Sequence, residues 1–453
     1  MPRRRLPTRV LALAVALLVG VAAAVAVDRS RDSDDRGGEL GAAATSTTAP
    51  AAPAPAGGGT PTTAVAPGAT IPPAQKRVFD QIMGQVAAIR GLAWKGPLNL
   101  KVVPAAELAR LLKAANERDA KPELLEQQSQ ALKLLRLIPA DTDLRQVLDD
   151  LLAGIVLGYY DPKTKELVVA GDDLGPSTRF TIAHEMVHAL TDQHFDYGPL
   201  GDALDDANKT EESAALSALI EGDAVLSQEL WAEKHLTRQE ALAAVLGGGS
   251  ADAGAVTRTP GYVIQSLFFP YDEGRSFVGE LYDAGGFAAV DAAYRKPPTS
   301  TEHIIHPPTY LAGQPSAPPA IPDLGAATGC ALVTTGSVGQ FDMRAILSQR
   351  LTNVEAGRAV EGWNGDAFGL VRCGAALGLA DRWVTDAAAD AGRLLDAINR
   401  WAGSWSGGGR APGADGRFTG PNGTGRVARS GARVDLVLAQ DAATADKLIA
   451  ALS

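Results

Sequence analysis

Ala183-His184-Glu185-Met186-Val187-His188-Ala189-Leu190-Thr191-Asp192-Gln193 is the stretch on which the fold and the function turn. Its flanks, Thr181-Ile182-Ala183 and Ala189-Leu190, are small or apolar, and the segment Ser177–His194 has helical spacing with Ser177 or Thr178 as cap. On a helix, residues four apart lie about 40° apart around the axis, so His184 and His188 project from one face. Two neutral imidazoles so placed can hold one Zn²⁺. Glu185 is turned about 100° from His184 and can reach a water beside the ion, which is the position of a general base. Six histidines and eighteen glutamates in 453 residues make the HExxH pattern scarce by chance, expected in roughly a few chains per thousand. The alternative is a pair of surface histidines on an ordinary helix.

A catalytic zinc wants a third protein ligand and an open position. Two residues compete for the role. His194 stands where HExxHxxGxxH sequences place their third histidine, yet Thr191 occupies the glycine position of that pattern. In a continuous helix His194 would lie about 240° around from His188, facing elsewhere. Glu221, in Leu216-Ser-Ala-Leu-Ile-Glu-Gly-Asp-Ala224, offers a carboxylate from a second helix and would complete a His₂Glu site.

HExxH followed by Leu219-Ile-Glu-Gly-Asp-Ala224 resembles the gluzincin metallopeptidases. The resemblance implies a zincin-like fold, His184, His188 and Glu221 as zinc ligands, and Glu185 as the base. The region from Asp161-Pro162 to Pro307 is also similar to exported bacterial zinc-metallopeptidase-like proteins. That similarity rests on Ala183–Gln193, Ile220–Ala224, Pro270-Tyr-Asp-Glu-Gly274 and Pro297-Pro-Thr-Ser-Thr-Glu302 through His306-Pro307.

Other residues are weighed by their chemistry. Asp223 and Glu212 are candidates to orient a ligating imidazole, against the plainer reading of solvated helix carboxylates. A metallopeptidase needs a donor for the tetrahedral oxyanion, and His306, in the proline-bounded loop that also holds His303, is the first choice, with Tyr310 and Tyr271 behind it. His235 reads as exposed, and Trp363 and Trp401 as packing residues.

Outward from the motif, the N-terminus carries Arg3, Arg4, Arg5 and Arg9 before an apolar run, Val10–Val27. That pattern predicts a signal peptide or signal anchor over 1–27, and an extracytoplasmic protein that is membrane-anchored through this segment or secreted. Residues 28–74 are Ala, Pro, Thr and Gly-rich and read as a disordered tether. An exported chain with only Cys330 and Cys373 favours their pairing. The net charge of −10 argues against a nucleic-acid footprint.

Helical spacing appears over Arg77–Ile89, Glu107–Ala115, Glu123–Leu137 and Glu211–Leu236, with a further helix capped by Asp141 or Thr142 and running to Leu152. Leu98–Val103 reads as a strand, and Ile155–Tyr160 and Glu166–Ala170 as strands of a hairpin around Asp161-Pro-Lys-Thr164. Its free edge could take an extended peptide by strand addition. After Pro322 two similar units, each of two strands and a helix, suggest a weak duplication.

The expectation is an α+β protein: a zincin-like catalytic domain over 75–322 and a smaller C-terminal α/β region over 323–453. Its function would be zinc-dependent hydrolysis of a peptide or protein substrate outside the cytoplasm. The competing expectation is a non-catalytic, membrane-tethered envelope scaffold whose zinc site is structural or vestigial.

Overall fold

The computed structural model describes residues 71–453 apart from 120, 154–156, 172–173 and 248–256. Helix α1 (Pro73–Arg90) starts on a proline whose absent N–H is no loss in the first turn, and stops at Gly91 in the left-handed region. Phe79, Ile82, Met83 and Val86 form its buried stripe. Strand β1 (Asn99–Val103), helices α2 (Ala105–Asp119), α3 (Pro122–Leu134) and α4 (Leu144–Ala153), and strands β2 (Gly158–Asp161) and β3 (Glu166–Ala170) follow. The three strands form one sheet in the order β1-β3-β2, with β1 parallel and β2 antiparallel to β3. The hairpin turns where expected, because Asp161 Oδ1 accepts the Lys163 and Thr164 N–H groups. Strand β2 is therefore an edge.

Helix α5 (Pro176–Phe195) packs on this sheet and on α1, and every residue from Thr181 to Asp192 is buried. It begins on Gly175 and Pro176, without a side-chain cap from Ser177 or Thr178. Helices α6 (Tyr197–Asp206), α7 (Thr210–His235), α8 (Arg238–Gly247) and α9 (Gly261–Arg295) complete the helical layer, α9 with a break at Gly285–Gly286 where the backbone leaves helical values. Helices α7 and α9 cross backbone to backbone. A Cβ on Gly222 would strike the Gly274 carbonyl, and one on Gly274 would strike the Ala218 carbonyl. Both glycines are there because the approach leaves no room for a side chain.

A buried ion cluster ties three helices together at the same level. Arg90, in the last turn of α1, donates Nε to the Asp223 carboxylate of α7 at 2.9 Å and Nη2 to Asp291 of α9 at 2.7 Å, and its guanidinium lies over the Phe287 ring. The two carboxylates offset the burial of the guanidinium, although Nη1 is buried without a hydrogen-bond partner.

Short helices α10 (Thr301–Ile305), α11 (Pro307–Leu311) and α12 (Leu324–Thr328) lead into the C-terminal part. There, β4 (Ala331–Gly336), helices α13 (Gly339–Ser348) and α14 (Asn353–Val360), β5 (Trp363–Cys373), β6 (Ala376–Thr385), α15 (Ala388–Ser406), β7 (Arg417–Gly420), β8 (Gly423–Ser430), β9 (Arg433–Ala439) and α16 (Ala442–Leu452) build an antiparallel six-stranded sheet of order β4-β5-β6-β9-β8-β7. The strand-strand-helix unit appears twice, as β5-β6-α15 and β8-β9-α16. Cys330 and Cys373 form a disulfide between the start of β4 and the end of β5.

The chain is thus mixed α+β, with strands pooled into two separate sheets. Residue 322 is not a boundary in packing, however. Leu134, Leu135 and Leu137, from the end of α3, sit in the core of the six-stranded sheet with Trp363, Trp383, Trp401 and Trp405. Trp405 Nε1 donates to the Leu134 carbonyl at 2.7 Å.

The expected extracytoplasmic, membrane-anchored location is overturned among the described residues, where no helix is long and apolar enough to cross a membrane. Segment 1–27, on which that expectation stood, and the tether as far as residue 70 lie outside the described residues.

Candidate metal centre

His184, His188 and Glu221 converge inside the helical layer, all buried. Helix α5 supplies both imidazoles from one face, and α7 crosses it to bring in the carboxylate. His184 Nε2 lies 3.0 Å from His188 Nε2 and 3.2 Å from Glu221 Oε2, and His188 Nε2 lies 3.3 Å from the same oxygen. A tetrahedral ion with bonds of about 2.0–2.2 Å needs ligand atoms separated by about 3.3–3.6 Å. The triangle has that size to within a few tenths of an ångström, and two imidazoles with one carboxylate are a donor set that zinc takes. The three residues could therefore hold a metal ion. Among the described residues no other group of His, Cys, Asp and Glu is assembled in this way.

Burial pushes the Glu221 carboxyl up, but the facing His188 and His184 imidazoles outweigh it and hold the group down at about 2. Glu221 is thus a carboxylate, ready to ligate. Glu185 goes the other way. Burial pushes it up to about 8, against the pull of the His184 ring and the Tyr160 N–H, and the Glu221 charge adds to the rise. Glu185 Oε2 accepts the backbone N–H of Tyr160 at 2.8 Å. The edge strand β2 thereby fixes the orientation of the carboxyl, with one oxygen engaged and the other available. Of His184, Nδ1 is buried without a hydrogen-bond partner, so among the described residues no carboxylate or carbonyl orients that ring from behind. Orientation comes instead from a stacked aromatic, the Tyr271 ring 6.2 Å away and inclined by 20°.

Several expected contributors are placed elsewhere. His194 is on the outside of α5, with Nε2 2.7 Å from the Ala93 carbonyl, and is not a ligand. Thr191, where a turn-forming glycine would be needed, keeps the helix continuous and bonds back to the Val187 carbonyl. Asp223 does not orient an imidazole, because its carboxylate is committed to Arg90 and Ser227. Glu212 pairs with Lys209 at the surface. His306 is outside the cluster, in the field of Glu361, Glu273 and Arg344, and burial lowers its pKa. His303 bonds the Gln314 carbonyl through Nε2 and accepts the Thr299 N–H at Nδ1. Tyr310 donates to the Lys296 carbonyl. His235 packs beside Trp231, while Trp363 and Trp401 are core residues.

Two parts of the site were not read from the sequence: the Tyr160 N–H, and the stacking of Tyr271, a candidate there only as a donor, on His184. The first is a main-chain group. The second depends on a helix crossing that no local pattern encodes. Tyr271 also lines a cavity of about 290 Å³ bounded by α7 and α9 with Leu124 and Gln128 of α3, Thr301 of α10 and Phe341 of α13.

A family described as a domain of unknown function, DUF8575, matches residues 331–449, the part built on the six-stranded sheet, and does not reach the metal centre. No curated protein matches the chain. Among solved structures the chain is similar to a protein from Chloroflexus aurantiacus described as "a putative hydrolase with a novel fold". Identity is 17%, over 53% of this chain and 90% of that one, with a TM-score of 0.36.

Proposed function

We propose that the chain is a zinc-dependent peptide hydrolase built on a zincin-like helical layer, with His184, His188 and Glu221 as the metal ligands and Glu185 as the general base. The observation that carries this is the triangle of ligand atoms at 3.0–3.3 Å beside a carboxyl that shares its helix but not its duty. Three protein ligands, rather than the four of a structural site, leave a coordination position for substrate or water. This favours catalysis over a structural zinc site in a scaffold.

Zinc, when bound, would supply Lewis-acid polarisation of a carbonyl and of water. The chain does the rest. Glu185 receives a proton on the oxygen not engaged by Tyr160, and its buried surroundings suit it to hold that proton and return it to a leaving amine. The Tyr160 N–H keeps the carboxyl from swinging towards the ligands. The buried walls of α5 and α7 exclude bulk water and so strengthen each of these electrostatic contacts.

The test is the full chain, wild type beside Glu185→Gln, with zinc content and cleavage of a broad peptide library measured together. The variant should keep one zinc and lose hydrolysis by at least a hundredfold, as removal of a general base does at about 10²–10⁴. Cleavage at the wild-type rate would end the proposal. A metal-free wild type would also end it.

A further inference from the structure

We propose that the cavity beside the metal centre is a specificity pocket that receives the lysine or arginine side chain of a peptide substrate, an inference that rests on the peptide-hydrolase reading above. Its position comes first. Ala214 and Ser217 of α7 line the cavity, and Glu221 lies on the same helical stripe about 6 Å further along the axis. Tyr271, stacked on His184, forms the wall at that end. A peptide held at the metal would therefore have one side chain directed along α7 into the cavity.

The far end is acidic. Glu211 at the start of α7 accepts the Thr301 N–H and hydroxyl through Oε2, both at 2.8 Å, and Asp342 accepts the Tyr262 hydroxyl through Oδ1 at 2.9 Å. The other oxygen of each takes no hydrogen bond among the described residues, although Glu211 is only 7% exposed. Lys209 also lines the cavity, but its ammonium is paired with Glu212, which does not. Between the two ends the walls are largely apolar, from Leu267, Phe269 and Phe341. An apolar wall ending in carboxylates fits the stem and the head of a basic side chain. An apolar substrate residue would leave the unbonded carboxyl oxygens without a hydrogen-bond partner, which disfavours it. Burial pushes the Glu211 carboxyl well up and the Asp342 carboxyl up to about 7, so an arriving cation would supply the counter-charge they lack.

Two measurements test this on the full chain. The first is the cleavage profile of a positional peptide library for wild type, Asp342→Asn and Asp342→Lys. The second is calorimetric binding of Nα-acetyl-arginine methylamide against the norleucine analogue, using Glu185→Gln. Expected results are a basic residue at one fixed position flanking the cut, at least about tenfold tighter binding of the arginine amide, loss of most of that preference in Asp342→Asn, and its reversal towards acidic residues in Asp342→Lys. Cleavage without a basic preference, or equal binding of the two amides, overturns the pocket and leaves the hydrolase reading standing. Selective arginine binding with no library peptide cut overturns the hydrolase reading and leaves a cation site. Should an Asp342 variant fail to fold, the two-amide comparison on Glu185→Gln decides alone.

Discussion

Replacing Gly222 by alanine adds one carbon to a 26-residue helix, and helix propensity alone would make that a gain of about 1 kcal/mol. The structure reverses the sign. The new Cβ would lie on the carbonyl of Gly274 in α9, a backbone group that no rotamer change can move aside. Overpacking of this kind costs about 1–3 kcal/mol or more, and a rigid backbone obstacle belongs at the top of that range. A net loss of about 2 kcal/mol follows. The same displacement parts α7 from α9 one residue beyond Glu221. Metal sites tolerate only about 0.2 Å in ligand position, so zinc affinity should fall at least tenfold. The control is Gly84→Ala in α1, where a Cβ would meet nothing within 4 Å. It should gain about 0.5–1 kcal/mol. Urea unfolding and zinc competition with a chelator read both variants. A Gly222→Ala protein as stable as wild type, measured beside a stabilised Gly84→Ala, would refute the reasoning about the helix crossing.

Glu221→Ala should abolish stoichiometric zinc while His194→Ala retains it, because only the first removes a corner of the ligand triangle; metal analysis of the two purified variants separates them. Asp223→Asn removes the charge that faces the buried Arg90 and should cost about 3–5 kcal/mol in chemical unfolding, whereas Glu212→Gln at the surface should change little. Asp342→Asn should alter the pH dependence of stability. The folded carboxyl titrates near about 7, above the unfolded value of about 3.9, so the wild type retains a proton that the unfolded chain releases. That contribution is full below about pH 4 and is lost as pH rises through about 7. Urea midpoints at pH 4.5 and 7.5 should therefore fall further in wild type than in Asp342→Asn.

The convergence of His184 and His188 was legible because it is local: two histidines four residues apart share a helix face whatever the fold does around them. Glu221 was legible through its motif, and the structure adds the physical cause of the adjoining glycine. The same holds for Asp161, whose turn needs only the backbone N–H groups that follow it. Helix α9 was not legible. It is 35 residues long, yet Pro270, Gly274 and the Gly285–Gly286 break interrupt its periodicity, and each is tolerated because neighbouring helices, rather than propensity, hold the element. His306 was chosen as a donor for its residue type and its loop. The ring stacked on His184 is instead that of Tyr271, which sits on α9, the helix whose periodicity is interrupted. Asp223 illustrates a different limit. A carboxylate two residues from a ligand has many possible partners, and the arginine it holds is 133 residues away.

The insertion of Leu134, Leu135 and Leu137 into the C-terminal core has a consequence for how the protein comes into being. These leucines emerge from the ribosome long before Trp363, Trp383, Trp401 and Trp405, the residues that will cover them. Until the last strands arrive, the first half of the chain carries an exposed apolar plug, and the second half, made alone, would carry the matching hole. Neither can reach its final state by itself. Equilibrium unfolding should show a single cooperative transition rather than two, and truncation near residue 322 should give aggregation in place of a smaller folded protein.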